Sequence, residues 1–263
     1  MLTVPGMAAT KGLQMIWEVQ KQMVRILNST TKGGFQGGAV ELSPSMIPVD
    51  RLEQAMDLLL EASKATGFVP GTDFHIGIDC AAHEIYDIQL GHYEVLVGAP
   101  RTADQMLGMY LDLLGQYPAL SALIDPLCSQ DTESWTRLAE QAPSCPLLVK
   151  VAGDDLVPGK ELPGNGVVLP LEDHDTLSSL LEVSQALRDD KKSLVLAGRA
   201  TDGLDYSLVD LAVGLQARWL KLGLLSWADH TAMGNRLAQV GRELLRCGTQ
   251  DPLLVDTSCL AAE

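Results

Sequence analysis

Aromatic side chains are scarce in this chain, with three Phe, five Tyr and four Trp among 263 residues. They are spread without the spacing of a base-stacking platform, which argues against single-stranded nucleic acid as a partner. Basic residues are also few: 19 Lys and Arg stand against 34 Asp and Glu, for a formal net charge of −15. Lacking a clustered Lys/Arg stripe, such a chain does not hold a polyanion by counterion release. A small anion bound together with a metal stays open. Cysteine is limited to Cys80, Cys128, Cys145, Cys247 and Cys259, with no CxxC pair. This excludes a disulfide-stapled miniprotein, argues against a zinc site, and suits a reducing compartment in which each thiol is a small hydrophobe. No eighteen apolar residues run together, and the start, MLTVPGMAATKGLQ, lacks the basic and apolar regions of a secretory leader. The expectation is a soluble, cytoplasmic protein that does not enter a membrane.

What is present is a large apolar fraction, 46%, enough for one substantial core. Short β-rich runs alternate with segments of helical period. Leu2 to Val4, Phe74 to Cys80, Ser121 to Ile124, Leu147 to Ala152, Gly166 to Leu169, Ser193 to Ala197 and Trp219 to Leu222 read as strands. Helices are expected at Gly12 to Leu27, with Met15, Val19, Met23 and Ile26 on one face, and from Leu52 to about Gly67. Others follow Thr102, span Asp131 to Gln141, Thr176 to Arg188 and Tyr206 to Gln216, and end with about His230 to Cys247. HYEVLVG, after Gly91, suggests an extra hairpin, and residues 248 to 263 read as a tail behind a barrel unit of residues 1 to 247. Strands each followed by a helix imply parallel pairing through right-handed crossovers, a (β/α) barrel one strand short of eight. A doubly wound sheet alternates similarly, yet its GxGxxG turn between first strand and helix is absent. GGFQGG sits in a loop after a helix and reads as a flexible lid more readily than as a phosphate cradle.

A barrel collects its chemistry at the carboxyl ends of its strands. There the sequence delivers Asp79, then Ile124 and Asp125, then Asp154 and Asp155, then Pro170, then Gly198 and Arg199, and last Lys221. Asp79 and Asp154 at one mouth suit a hard cation such as Mg²⁺, although each aspartate alone also suits a turn or loop hydrogen bond. Lys221, inside the apolar run WLKLG, needs a carboxylate, a phosphate or water. Of the histidines, His75, His83, His92, His174 and His230, only His83 falls near the mouth, where it either touches a ligand or fills a loop.

These residues reach a known family. FHIGIDCAAHEIY with GHYEV, YPALSALIDPL with a downstream Trp, GDDL, SLVDLAVGL and WLKLG, in this order, resemble the barrel of enolase, phosphopyruvate hydratase. The family patterns are close to MDVAASEFY with GKYDLDF, YPxxSIEDPF, DDLTVTN, ADLVVGL and IKTG. The likeness spans about residues 1 to 247 and implies an enolase-type TIM (β/α) barrel, incomplete at its N-terminal end, without counterparts of the family's first strand, its small capping domain and a glutamate just before that point. It also implies the interconversion of 2-phosphoglycerate and phosphoenolpyruvate in glycolysis, with Mg²⁺, a lysine base and a glutamate acid. On this register Asp79 and Asp154 match metal aspartates, Arg199 the phosphate-binding arginine, and Lys221 the lysine beside the substrate carboxylate.

Elsewhere the site departs from the pattern. Ile124 stands where the third metal ligand belongs, and Pro170 where the base lysine belongs, at a spacing from Lys221 that supports the register. Gly198 replaces a histidine and Ala200 a phosphate-loop serine. The acid position falls on Gln36 or, in an alternative register, Lys32. Lys150 precedes GDDL where the family's lysine follows it, so it reads as structural. One positioned base or acid contributes about 10²- to 10⁴-fold, so the expectation is a weak or inactive site with Mg²⁺ weakened or lost, and a structural or binding role in an assembly or oligomer. The divergence is like that of the enolase-like proteins of sperm flagella, which implies an axonemal setting.

Overall fold

The computed structural model describes residues 1–3, 7–30, 51–95, 98–151, 161–171, 174, 176–198, 205–223, 225 and 227–248. β1 (Leu2–Thr3) leads into α1 (Ala9–Thr30) and α2 (Leu52–Thr66). β2 (Phe74–Asp79) is followed by a single helical turn, α3 (Ala82–Ile85), and by a hairpin of β3 (Tyr86–Asp87) and β4 (His92–Tyr93). Strands and helices then alternate: α4 (Ala103–Gln116), β5 (Leu120–Ile124), α5 (Thr132–Gln141), β6 (Leu147–Lys150), β7 (Gly166–Pro170), α6 (Leu177–Asp189), β8 (Ser193–Ala197), α7 (Ser207–Gly214), β9 (Trp219–Lys221) and α8 (Ala228–Arg246).

Local chemistry sets these boundaries. Thr102 and Gln105 form a reciprocal capping box at the start of α4, and the side chains of Asp131 and Thr176 accept the Ser134 and Ser179 amides at the starts of α5 and α6. α2 stops at Gly67, whose φ of 83° is open to glycine without a Cβ penalty. On α1 the buried stripe is Met15, Val19, Val24 and Leu27; Met23 and Ile26, expected there, are only half-buried because the stripe drifts around a 22-residue helix.

The main sheet has seven strands in the order β1-β2-β5-β6-β7-β8-β9. From β2 to β9 every pair is parallel, as the alternation implies. β1 corrects the reading of seven parallel strands: it pairs antiparallel with β2, Leu2 opposite His75 and Thr3 opposite Phe74. Two helices separate β1 from β2, and they return the chain so that the second strand runs the other way. Among the described residues no ladder joins β1 to β9, although Leu2 and Thr3 line a common cavity with Trp219 and Leu220.

Each parallel strand divides its side chains between two layers. Leu123, Leu147, Val149, Val167, Leu169, Leu194 and Leu196 face the helices in the main core. Leu148, Val168, Val195 and Ala197 form a separate inner cluster, with Ile124 and Trp219 packed on it. This inner layer fixes which side chains reach the mouth.

Candidate functional site at the barrel mouth

Strand register assembles the mouth. Asp79 pairs in register with Ile124, Ile124 with Leu148, Lys150 with Val168, Pro170 with Ala197, and Ala197 with Lys221. Because alternate residues share a side, Asp79, Ile124, Lys150, Pro170 and Lys221 all belong to the inner face, at or near the strands' carboxyl ends. Lys150, read from sequence as structural, therefore shares the mouth's side of its strand and is half-buried.

The structure brings together two of the residues singled out from sequence. Lys221 Nζ donates to Asp79 Oδ2 in an ion pair, with the two side chains 47% and 28% exposed. Asp79 Oδ1 also accepts the Ala81 amide at 3.2 Å. Lys221 thus finds the carboxylate that its apolar strand calls for. Asp154, Arg199, Ala200, Gln36 and the alternative Lys32 lie outside the described residues. Gly198 directly follows β8.

A second carboxylate stands at this end, one that the sequence places at the mouth without giving it a role. Asp125, directly after β5, is 1% exposed and adopts a left-handed backbone with φ of 50°. Its Oδ2 accepts the His83 amide at 3.2 Å and is also bonded to His83 Nδ1. The Asp125 backbone completes the knot: its N–H donates to Leu148 O at 2.6 Å, and its carbonyl accepts from Ala82 N at 3.0 Å. Ala81, on the facing loop, is likewise left-handed, with φ of 45°. Non-glycine residues in this region cost energy and persist where the surroundings over-determine them. His83, read from sequence as either touching a ligand or filling a loop, is held on its Nδ1 side, with its side chain 43% exposed.

Aromatic side chains with a polar end anchor the loop behind Asp125. Tyr110 OH donates to Pro126 O at 2.8 Å, Tyr93 OH accepts the Cys128 amide at 2.9 Å, and Trp135 Nε1 donates to Cys128 O at 3.1 Å. Burial pushes the Tyr93 phenol up to about 12, and the Cys80 thiol, beside Tyr110, also to about 12. Both remain protonated, so neither supplies a nucleophile.

Mg²⁺ takes oxygen ligands in near-ideal octahedral geometry. Of the metal positions implied by the resemblance, the described ones do not fit it: Asp79 is engaged by Lys221, and Ile124 is aliphatic. Among the described residues no group of three or more His, Cys, Asp or Glu is placed to hold a metal ion. None of the described helices is long and apolar enough to cross a membrane.

Parallel strands joined by helices, with an Asp–Lys pair at their carboxyl ends, define a (β/α)-barrel class of protein. The family model for the enolase C-terminal TIM barrel domain matches residues 2–250, and the chain belongs to that family. It is 33% identical to Enolase 4 of Mus musculus over 267 residues, covering 93% of this chain and 43% of the mouse protein. It is 35% identical to Enolase 4 of Xenopus tropicalis over 251 residues, covering 92% and 44%, and 32% identical to Enolase 4 of Homo sapiens over 268 residues, covering 93% and 43%. The chain therefore spans less than half the length of these relatives.

Proposed function

We propose that residues 1–247 form an enolase-family barrel whose mouth still receives a small phosphorylated acid such as 2-phosphoglycerate or phosphoenolpyruvate but no longer dehydrates it efficiently. The observation that carries this reading is the inner row of Asp79, Ile124, Pro170 and Lys221. Ile124 cannot coordinate Mg²⁺, and Pro170 has no titratable group to accept a proton. Asp79 and Lys221, the pair retained, neutralise each other. On this reading Mg²⁺ binding is weak or lost.

The barrel then serves as a structural or binding module in a larger assembly, with the cytoplasm or a flagellar axoneme as its setting. Support comes from β1 and β9, which among the described residues each pair on one side only; such strand edges offer N–H and C=O groups for another chain to cover. The test is phosphoenolpyruvate formation from 2-phosphoglycerate with Mg²⁺, read by absorbance. The expected result is no turnover above buffer. Turnover abolished by Lys221→Ala would overturn the proposal in favour of a second reading, a residual hydratase, whose support is that Asp79 and Lys221 still meet at the mouth.

A further inference from the structure

On the outside of the barrel, α1 and α8 leave a trough between them with a volume of about 740 Å³. Its floor is apolar, made by Leu13 and Val24 of α1, Leu225 just ahead of α8, and Ala238 of α8. The walls are tied together: the buried Gln20 side chain accepts the Leu225 amide at 3.2 Å. A Cβ at Gly234 of α8 would lie 3.3 Å from Leu225 and 3.5 Å from Leu13, so glycine there lets the walls close to this spacing. The α1 residues that line the trough run from Thr10 to Val24, which at 1.5 Å per residue is about 21 Å, or about four helical turns. Trp17 lines it too, 46% exposed, with Lys21 Nζ 4.7 Å from its ring centroid.

The charge of this trough runs against that of the chain. The net charge is −15, yet no Asp or Glu lines the trough, whereas Lys21 does. Among the described residues Lys21 makes no ion pair, its ammonium resting on the Trp17 ring. Helical spacing carries the same stripes on to two more exposed cations, Arg25 one turn beyond Lys21 and Arg242 one turn beyond Ala238. Arg25 touches a neutral group, the Gln22 side-chain oxygen at 3.4 Å, and Arg242 is in no ion pair among the described residues. An apolar floor about four turns long between two helices is shaped to take a third, whose side chains would settle between theirs. Unpaired cations on both walls favour carboxylates along its flanks. We propose that the trough between α1 and α8 docks an acidic amphipathic helix of a partner protein, its apolar stripe on Leu13, Val24, Leu225 and Ala238 and its carboxylates against Lys21, Arg25 and Arg242. Trp17 is its aromatic anchor, the kind of side chain that dominates binding energy at interfaces. The inference rests on the reading that the barrel is a binding module, and it names the kind of partner held.

The test titrates the full chain into a dye-labelled peptide of about 15 residues, read by fluorescence anisotropy, with Leu at helical spacing on one face and Glu on both flanks. A second peptide carries Lys for every Glu, and a third is the first with its order scrambled. The Glu peptide alone should bind, and more weakly as salt is raised. Trp17→Ala should weaken it by about tenfold or more. Lys21→Glu combined with Arg242→Glu should abolish binding of the Glu peptide and admit the Lys peptide. These three side chains are exposed, so the variants should keep the parent's circular dichroism, and the charge exchange decides even if Trp17→Ala alters the fold. Equal binding of the Glu and scrambled peptides, no binding of the Glu peptide, or a Glu peptide indifferent to Trp17→Ala in a folded variant would overturn the inference. Self-association of the chain that Trp17→Ala abolishes would give the trough to a second copy, and binding to anionic phospholipid vesicles lost in the same variant would give it to a membrane surface; either result overturns the inference. Phosphoenolpyruvate formation bears on the proposed function alone, whereas a Glu peptide ignored by a barrel without turnover sinks this inference and leaves the proposed function standing.

Discussion

Asp79 and Lys221 are 142 residues apart in sequence and joined by an ion pair at the mouth. Their strands, β2 and β9, are the first and last of the parallel run, so the pair links the two ends of that run. Both side chains are substantially exposed. A pair of this kind contributes about 0–1 kcal/mol, and Lys221→Met should lower stability by no more than that in urea melts. A larger loss would mean that the pair, rather than core packing, holds the parallel run closed.

Ile124→Glu places a carboxylate beside Asp79 on the neighbouring strand. Like charges so close repel, and the variant should melt lower than the parent in EDTA. Adding Mg²⁺ should raise its midpoint, because a ligand that binds only the folded state stabilises it by mass action. The parent chain should show no such rise. A midpoint that Mg²⁺ leaves unmoved in both would count against this position as the missing ligand.

At alkaline pH the protein should lose stability. Burial pushes the thiols of Cys80 and Cys145 and the phenol of Tyr93 up to about 12 each. The unfolded chain ionises its thiols from about pH 8.5, so it sheds protons that the folded state keeps. Stability from these groups is complete below that pH and falls as pH rises toward 12, by about 1.4 kcal/mol per unit for each group. Cys145→Ala should flatten the alkaline limb in a pH series of urea melts.

On the acid side, burial pushes the His75 imidazole down, and its Nδ1 has no hydrogen-bond partner among the described residues. Its folded pKa lies below the unfolded value of about 6.5. The unfolded state therefore binds the proton first, and stability declines as pH falls through that region. His75→Gln should reduce the decline between about pH 7 and 5. An unchanged slope would show that other groups set the acid limb.

Tyr93→Phe removes the acceptor of the buried Cys128 amide. Leaving such a donor unsatisfied costs about 1–3 kcal/mol, so the unfolding midpoint should drop while the far-ultraviolet spectrum stays the same.

The parallel body of the barrel was legible because its strands are apolar runs between helices with recognisable caps, Thr102, Asp131 and Thr176 among them. The direction of β1 was not, since two residues carry no periodic signal and their pairing is decided by the helices that follow. The hairpin expected around HYEVLVG forms, but its strands are Tyr86–Asp87 and His92–Tyr93, fixed by Asp87 accepting the Gln89 and Leu90 amides. Asp79 and Lys221 could be named in advance because each stands out against an apolar strand. The partnership of His83 and Asp125 spans 42 residues with no local pattern to announce it, and only the fold brings them together. Lys150 was set aside on its order relative to GDDL, whereas its facing is decided by strand alternation.

Trp135 is 1% exposed and fastened to the carbonyl of Cys128, three residues beyond Asp125. Its indole is thereby a built-in fluorophore tethered to the same loop as the histidine's anchor. Small rearrangements of that loop should alter its emission, so occupancy of the barrel could be followed by light, with no dye attached.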